Sequence, residues 1–147
     1  GSLYTISGDS ALNAHPDSLD NYVFPAEYTC SIRAISEEPP DIYYPNAQPG
    51  SNAYGVFIWG DNPLTVIDNE ENTSGRKIAL IKESYGNAFA PYLAYNYDEV
   101  HVIDFRYYEG NLKQYCQDNN ITEVLFLNGI MSANTPLQLD SMDSLFA

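Results

Sequence analysis

Three apolar runs that alternate with two helical patterns constrain the fold of this chain more than any other feature. The runs are KIALIK at residues 77–82, DEVHVIDF at 98–105 and TEVLFLNG at 122–129. Continuous apolar runs of this length are typical of strands buried on both faces of a parallel sheet. Because crossovers between parallel strands are right-handed, the stretch from 77 to 129 predicts a β-α-β-α-β unit with a parallel sheet.

The gaps between these runs have apolar residues at helical spacing. In 84–97 the stripe comprises Phe89, Leu93 and Tyr92 or Tyr95, with Pro91 in the first turns, and in 108–120 it comprises Leu112, Tyr115 and Cys116, before Asn119 and Asn120 end the helix. After the third run, Asn134 or Thr135 can cap a final short helix that has Pro136 at its first position.

The first half of the chain is less regular and rich in proline. SLYTIS and EYTCSIRAI alternate in polarity and predict strands, whereas residues 36–53 predict a long loop with a short extended piece at Ile42–Tyr44. YGVFIWG and LTVID, separated by the turn residues DNP, predict a β-hairpin over 54–68.

Length and composition indicate one domain with a real core over residues 1–147. Residues 1–75 form its irregular and β-hairpin part, and residues 76–147 form the β-α-β-α-β core. The expected fold class is therefore α/β with a parallel sheet and an irregular, β-rich amino-terminal segment.

The charge of the chain restricts its partners. Twenty acidic and six basic residues give a net charge of −14, which repels phosphate backbones and anionic lipids and argues against nucleic acid as a partner. No apolar run approaches the roughly 20 residues of a membrane span, and no signal peptide is recognisable in this chain. Oligomeric state is left open.

The cysteines give no reason to expect a metal or another cofactor. Cys30 and Cys116 lie far apart and in no CxxC or Cys/His spacing, so we expect no metal site. A disulfide between them and two free thiols both remain open.

Polar residues follow each of the three apolar runs, where ligands bind in open α/β sheets. These strand ends are Glu83-Ser84-Tyr85, Asp104-Phe105-Arg106-Tyr107-Tyr108 and Asn128-Gly129. Because the carboxyl ends of parallel strands share one edge of a sheet, the sequence predicts a single candidate site there.

Ser84 is the candidate nucleophile of this site. A serine at a strand-to-helix turn projects its hydroxyl over the rim, and the helix N-terminus offers N–H groups to an oxyanion. The alternative is that Ser84 caps the helix. A nucleophilic serine needs a base, but His101 lies inside an apolar strand and His15 in a loop, so neither makes a convincing triad. A second hydrolase-like pattern, Gly8-Asp9-Ser10, is interpreted as a turn.

Three stretches resemble the DHHW protein family: YGVFIWGDNPLTVID, RKIALIKESYGNAFAPYLAYNYDEVHVIDFRYY and EVLFLNG. That family belongs to the SGNH-hydrolase-like group and is similar to the acetyltransferase-like proteins of alginate export. The resemblance covers nearly the whole chain and is best from 54 to 129. Its most specific piece is IKESYGNAF with VIDFRYY downstream. In the first of these, Glu83 stands where the commoner family form has Asp.

The resemblance implies a three-layer, parallel-sheet SGNH-hydrolase-like (flavodoxin-like) domain, here truncated. It implies that Ser84 is the nucleophile and that Arg106 is a candidate for binding an anionic or hydroxyl-rich substrate. The remaining substrate and oxyanion rim comprises Glu83, Tyr85, Asn87, Asp104, Tyr107 and Asn128. The Asp-x-His pair that supplies the family's base lies amino-terminal to the serine and has no match in this sequence. Either the chain is a fragment or it is a naturally degenerate member, and in both cases we expect this chain alone to be inactive.

Two functions follow from the resemblance and the tyrosine-rich composition. The first is an extracellular or cell-envelope bacterial O-acyl esterase or acetyltransferase that acts on an acyl ester of a polysaccharide. The second is a non-catalytic envelope module that binds glycan or protein through tyrosines at the rim. A third interpretation, a domain that binds a phosphorylated ligand, is weakened because no Gly-rich loop follows any strand.

Overall fold

The computed structural model describes residues 2–15, 18–32, 41–44, 46–47 and 53–147. Its centre is a five-stranded sheet with the order β1-β2-β4-β3-β5. The strands are β1 (Tyr28–Ile32), β2 (Leu64–Asn69), β3 (Lys77–Lys82), β4 (Glu99–Asp104) and β5 (Glu123–Leu127). β2 pairs antiparallel with both β1 and β4, whereas β3 pairs parallel with both β4 and β5.

The prediction of a three-layer, parallel-sheet, flavodoxin-like fold is wrong, because the sheet is mixed. β1 and β2 run antiparallel to their neighbours, and parallel pairing is confined to β3, β4 and β5. The physical reason lies in the connection from β2 to β3: residues 70–76 contain no helix, and so short a link returns the chain in the opposite direction. The apolar pattern of 77–129 gave no information about the direction of these two strands.

Five α-helices occur in the described residues. They are α1 (Ser2–Ser7), α2 (Ser10–Ala14), α3 (Gly86–Ala94), α4 (Leu112–Asp118) and α5 (Pro136–Asp143). Short 3-10 turns span Ala53–Val56, Ser132–Asn134 and Ser144–Phe146. The predicted helices after β3, β4 and β5 are confirmed. Asn111 caps α4 by accepting a hydrogen bond from the backbone N–H of Gln114 at 2.9 Å.

Several local predictions for the first half are wrong. SLYTIS forms helix α1 and not a strand, and Asp9 caps α2 where a simple turn was predicted. No hairpin forms over 54–68: a 3-10 turn begins this stretch, and β2 pairs with β1 and β4. The strand in EYTCSIRAI is confirmed as β1, although residues 33–35 lie outside the described part. The division into 1–75 and 76–147 stays a prediction.

Two apolar clusters cover opposite faces of the sheet. One contains Ile78, Leu80, Val100 and Val102 with Ala90 and Ala94 of α3, and the other contains Ala79, Ile81 and Ile103 with Leu112 of α4. Because side chains alternate along a strand, Lys82 and Asp104 share the α3 face, whereas His101 lies on the α4 face. Lys82 and Asp104 can therefore contact each other, whereas His101 is separated from them by the sheet.

The structure shows the state of the two cysteines. Cys30 and Cys116 are both free thiols, so they form no disulfide with each other. Burial, together with the nearby charge of Asp41, raises the pKa of Cys30 to about 12, which makes that thiol unreactive. Within the described residues, no helix combines the length and the hydropathy that crossing a membrane requires.

Candidate functional site

Ser84 lies in the turn between β3 and α3. The backbone N–H groups of Gly86 and Asn87 donate to the carbonyls of Glu83 and Ser84 at 2.9 and 3.1 Å, and this turn leads directly into the helix. The Ser84 hydroxyl donates to Asp61 Oδ2 at 2.8 Å and accepts from Arg106 Nη2 at 3.2 Å. Its side chain does not cap α3, because Tyr85 holds the N-cap position without a side-chain bond. The hydroxyl therefore belongs to a network of side chains.

Asp61 is the centre of this network. Its carboxylate accepts from the Ser84 hydroxyl, from Asn87 Nδ2 at 2.8 Å and from Lys82 Nζ at 3.1 Å, and it forms an ion pair with Arg106 Nη2 at 2.9 Å. Sequence reasoning treated Asp61 only as a turn residue in DNP. Asp61 lies 23 positions before Ser84, so nothing in the local pattern connects the two residues.

Lys82 and Asp104 form a buried ion pair beneath the network. The side chain of Lys82 is 1% exposed and that of Asp104 is 0% exposed, and Lys82 Nζ lies 2.8 Å from Asp104 Oδ2. Arg106 also binds Asp104, with Nη2 at 2.6 Å from Oδ2 and Nε at 2.8 Å from Oδ1. Two cations therefore balance two carboxylates, which is how a protein tolerates charges removed from water.

The electrostatics keep Asp61 and Arg106 charged at neutral pH. Partial burial would raise the pKa of Asp61, but the charge of Lys82 and the hydrogen bonds from Ser84, Asn87 and Lys82 outweigh it and lower that pKa to about 2. Hydrogen bonding to Asp104, and the charges of Asp104 and Asp61, raise the pKa of Arg106 although its burial opposes this. Asp61 is therefore a very weak base.

Glu83 and Tyr85 flank Ser84 without joining the network. A Glu83 carboxylate oxygen accepts from the backbone N–H of Gly129 at 2.5 Å, which ties the serine turn to the loop after β5. A Cβ placed on Gly129 would lie 2.8 Å from that same oxygen. Tyr85 is 72% exposed, and its carbonyl accepts from the Tyr54 hydroxyl at 3.2 Å.

Some of the other predicted rim residues lie close to Ser84 and others do not. The structure brings Asn87, Asp104 and Arg106 together with Ser84, as the contacts above show. Tyr107 is 53% exposed, and the Arg106 guanidinium lies over its ring at 5.1 Å from the centroid. Asn128 does not join them: its Nδ2 lies 3.5 Å from Met142 Sδ, on the side of α5.

Neither described histidine contacts Ser84. His101 lies on the opposite face of the sheet, where its Nε2 is 3.0 Å from Glu99 Oε2 and its Nδ1 is 2.8 Å from the Tyr115 hydroxyl. Burial lowers the pKa of His101, although Glu99 partly offsets this. His15 is exposed at the end of α2. Among the residues with a defined placement, no cluster of three or more His, Cys, Asp and Glu could hold a metal ion.

Solved structures of two proteins are similar to this chain. A DHHW family protein from Eubacterium siraeum matches with a TM-score of 0.87 and 28% identity over 100% of this chain and 50% of its own length. PatB1 of Bacillus cereus matches with a TM-score of 0.62 and 27% identity over 79% of this chain and 39% of its own, as does PatB1 with a sulfonyl adduct. The chain thus spans half or less of these proteins.

The remaining comparisons concern sequence alone. No match was found among curated proteins. The model of the family described as "DHHW protein" matches residues 1–103, which is most of the 147 residues. The chain therefore belongs to the DHHW family.

Proposed function

We propose that this chain carries the serine of an acyl-transfer site, with Ser84 as the nucleophile of an O-acyl esterase or acetyltransferase. The observation that carries the proposal is the position of the Ser84 hydroxyl. It lies at a strand-to-helix turn, between the Asp61 carboxylate and the Arg106 guanidinium.

The similarity to PatB1 supports the same reaction class. One of its structures carries a sulfonyl adduct. Sulfonyl reagents form adducts by reacting with nucleophilic groups, so this adduct is consistent with nucleophilic chemistry in a protein of related fold. The substrate class we propose is an acyl ester of a polysaccharide, at the cell envelope or outside the cell.

In the proposed reaction, Ser84 Oγ bonds to the acyl carbonyl carbon while a base removes its proton. The leaving alkoxide then takes that proton from the base. Water or a sugar hydroxyl next attacks the acyl-serine, the bond between the acyl carbon and Ser84 Oγ breaks, and Ser84 Oγ takes the proton that the attacking hydroxyl gives up. Backbone N–H groups of Ser84 and Tyr85 are the proposed donors to the oxyanion.

The base must come from outside the described network. Asp61 is too weakly basic, and His101 lies on the other face of the sheet. We assign the base to a histidine outside this sequence, in the part of the longer relatives that this chain does not span. The chain alone is then inactive.

The test uses the longest natural protein that contains this chain, with p-nitrophenyl acetate as the substrate. We expect turnover and an acetyl adduct on Ser84 by mass spectrometry, and the loss of both in Ser84→Ala. Ser141→Ala, which changes a serine that bonds only a helix carbonyl, is the matched control. Equal turnover by wild type and Ser84→Ala would overturn the proposal.

A second candidate is a non-catalytic module that binds glycan through exposed tyrosines. Tyr85 and Tyr107 are both largely exposed beside Ser84, and such rings stack well on sugars. In this case Tyr85→Ala and Tyr107→Ala weaken the retention of the protein on immobilised polysaccharide, whereas Ser84→Ala binds like wild type. Retention that does not change in either tyrosine variant would eliminate this function.

A further inference from the structure

A strained turn precedes Asp61. Ile58, Trp59 and Gly60 all have positive φ angles, at 45°, 63° and 86°. This region suits glycine, but it is a genuine outlier for a β-branched residue such as Ile58. Such conformations persist only where the surrounding structure imposes them, and they concentrate at functional sites.

The surroundings of Ile58 do impose the turn. Ile58 is buried, and its backbone N–H donates to the Ile42 carbonyl at 3.0 Å. The side-chain amide of Asn62 donates to the Ile58 carbonyl at 3.3 Å, and the Gly60 N–H donates to the Phe57 carbonyl at 3.0 Å. The turn is thus fixed on both sides, immediately before Asp61.

The Asp61 carboxylate is fixed as well. One oxygen, Oδ2, faces Ser84 and Arg106, and the other, Oδ1, faces Asn87 and Lys82. With two partners on each oxygen, the carboxylate cannot rotate without losing hydrogen bonds or its ion pair with Arg106. The Ser84 hydroxyl has two contacts in this network and the Asp61 carboxylate has four, so Asp61 is the more firmly held partner.

We infer that Asp61 is the positioning residue for Ser84: the strained turn at 58–60 delivers a rigid carboxylate that fixes the Ser84 hydroxyl before the reaction. The inference rests on the proposed function of Ser84 as nucleophile. Asp61 does not act as the base. A hydroxyl has one proton to donate, so Ser84 turns it from Asp61 to the base as the attack begins.

The first experiment needs no activity and uses this chain. Aspartate 13Cγ shifts are titrated by NMR in wild type and in Ser84→Ala, with Asp61 assigned from the signal missing in Asp61→Asn. We expect the pKa of Asp61 to be higher in Ser84→Ala than in wild type, because a hydrogen bond to the carboxylate is lost. Ser141→Ala should not change it. An Asp61 pKa that is equal in wild type and Ser84→Ala would overturn the inference.

The second experiment follows acylation of Ser84 by p-nitrophenyl acetate in the longer protein. We expect Asp61→Ala to lower kcat about a hundredfold with little change in KM, since a small misplacement of a reacting group costs about that much. Asp61→Asn, which keeps an acceptor oxygen, should fall between Asp61→Ala and wild type. The exposed Asp140→Asn is the control. Wild-type kcat in a folded Asp61→Ala protein would overturn the inference.

The two experiments also separate the inference from the proposed function. If the wild-type protein does not acylate Ser84 at all, the proposed function fails, and the NMR titration alone decides whether Asp61 holds the Ser84 hydroxyl. If Ser84 acylates and the titration shows no link to Asp61, the proposed function stands and the positioning role fails.

Discussion

Strands β3 and β4 begin and end with the same kind of residue pair. At their start Lys77 is aligned with Glu99, and at their end Lys82 is aligned with Asp104. Both pairs form ion pairs, but the side chains of the first are 27% and 25% exposed, and those of the second are 1% and 0% exposed. The two ends of one strand pair thus place equivalent charges in different surroundings.

The difference shows that a buried ion pair needs additional charged partners, whereas an exposed pair does not. Water solvates the exposed pair, so its net contribution to stability is small. The buried pair cannot rely on water, and additional groups compensate each charge: Arg106 for Asp104, and Asp61 for Lys82. Ser84 occurs only at the buried end, where its hydroxyl joins these compensating groups.

Replacing Lys82 should have the largest effect. Lys82→Met leaves Asp104 buried with Arg106 as its remaining cation, and we expect the free energy of unfolding to fall by about 3 kcal/mol, at the lower end for a broken buried pair. Urea unfolding monitored by circular dichroism measures it. A loss as small as that of Lys77→Met, the same change in the same strand, would remove the proposed contrast between the two ends.

Adding a methyl group at Gly86 should have the next largest effect. A Cβ at this position would lie 2.4 Å from Lys82 Cβ and 2.8 Å from Lys82 Cγ, so Gly86→Ala forces α3 and β3 apart. We expect a loss of about 2 kcal/mol in urea unfolding, within the range for overpacking. Alanine normally favours a helix over glycine, so unchanged or higher stability would show that the helix moves freely at this end.

Acid should weaken the buried end by about 1 kcal/mol through the protonation of Asp61. The folded-state pKa of Asp61 is lowered from 3.8 to about 2, so its contribution is present above pH 4 and is lost as the pH falls towards 2. Partial exposure of Asp61 reduces this contribution below the value that the shift alone would give. Urea unfolding at pH 6 and pH 3 measures it. Asp61→Asn should lose less stability than wild type between these pH values, and equal losses would contradict the assigned pKa.

The exposed pair should show the smallest effect. We expect Lys77→Met to change the free energy of unfolding by less than about 1 kcal/mol, and we expect the change to shrink in high salt. Urea unfolding at low and high ionic strength measures both. A large effect that is independent of salt would mean that Lys77 and Glu99 are coupled to the buried residues of β4, such as His101, which also contacts Glu99.

The sequence predicts the parallel half of the sheet well. Burial is the physical reason for β3 and β4, whereas β5 has the same apolar pattern at the edge of the sheet, with Val124 and Phe126 exposed. All three strands are continuous apolar runs in the sequence. Thr135-Pro136 predicts the start of α5, because proline fits the first helical position. The prediction of a strand at SLYTIS is wrong because six residues of alternating polarity fit a strand pattern but can also form a short helix. The course of the chain into β2 depends on positive φ angles at Ile58 and Trp59, which these residue types do not predict.

The candidate site was only partly predictable. Ser84, Asp104 and Arg106 follow apolar runs, so the rule about strand ends finds them. Asp61 reaches the site from a different strand connection, through tertiary contacts that no local pattern encodes. Lys82 did give a signal, a charge at the end of an apolar strand, but that position was interpreted only as part of the strand.

The link between Glu83 and Gly129 has a consequence for sequence variation. The Glu83 carboxylate occupies the space that a side chain at position 129 would need, and it accepts the backbone N–H there. An aspartate at 83 is one methylene shorter and would withdraw from that space. We therefore expect the two positions to covary among homologues, with glycine at 129 accompanying glutamate at 83 and larger residues tolerated where aspartate stands.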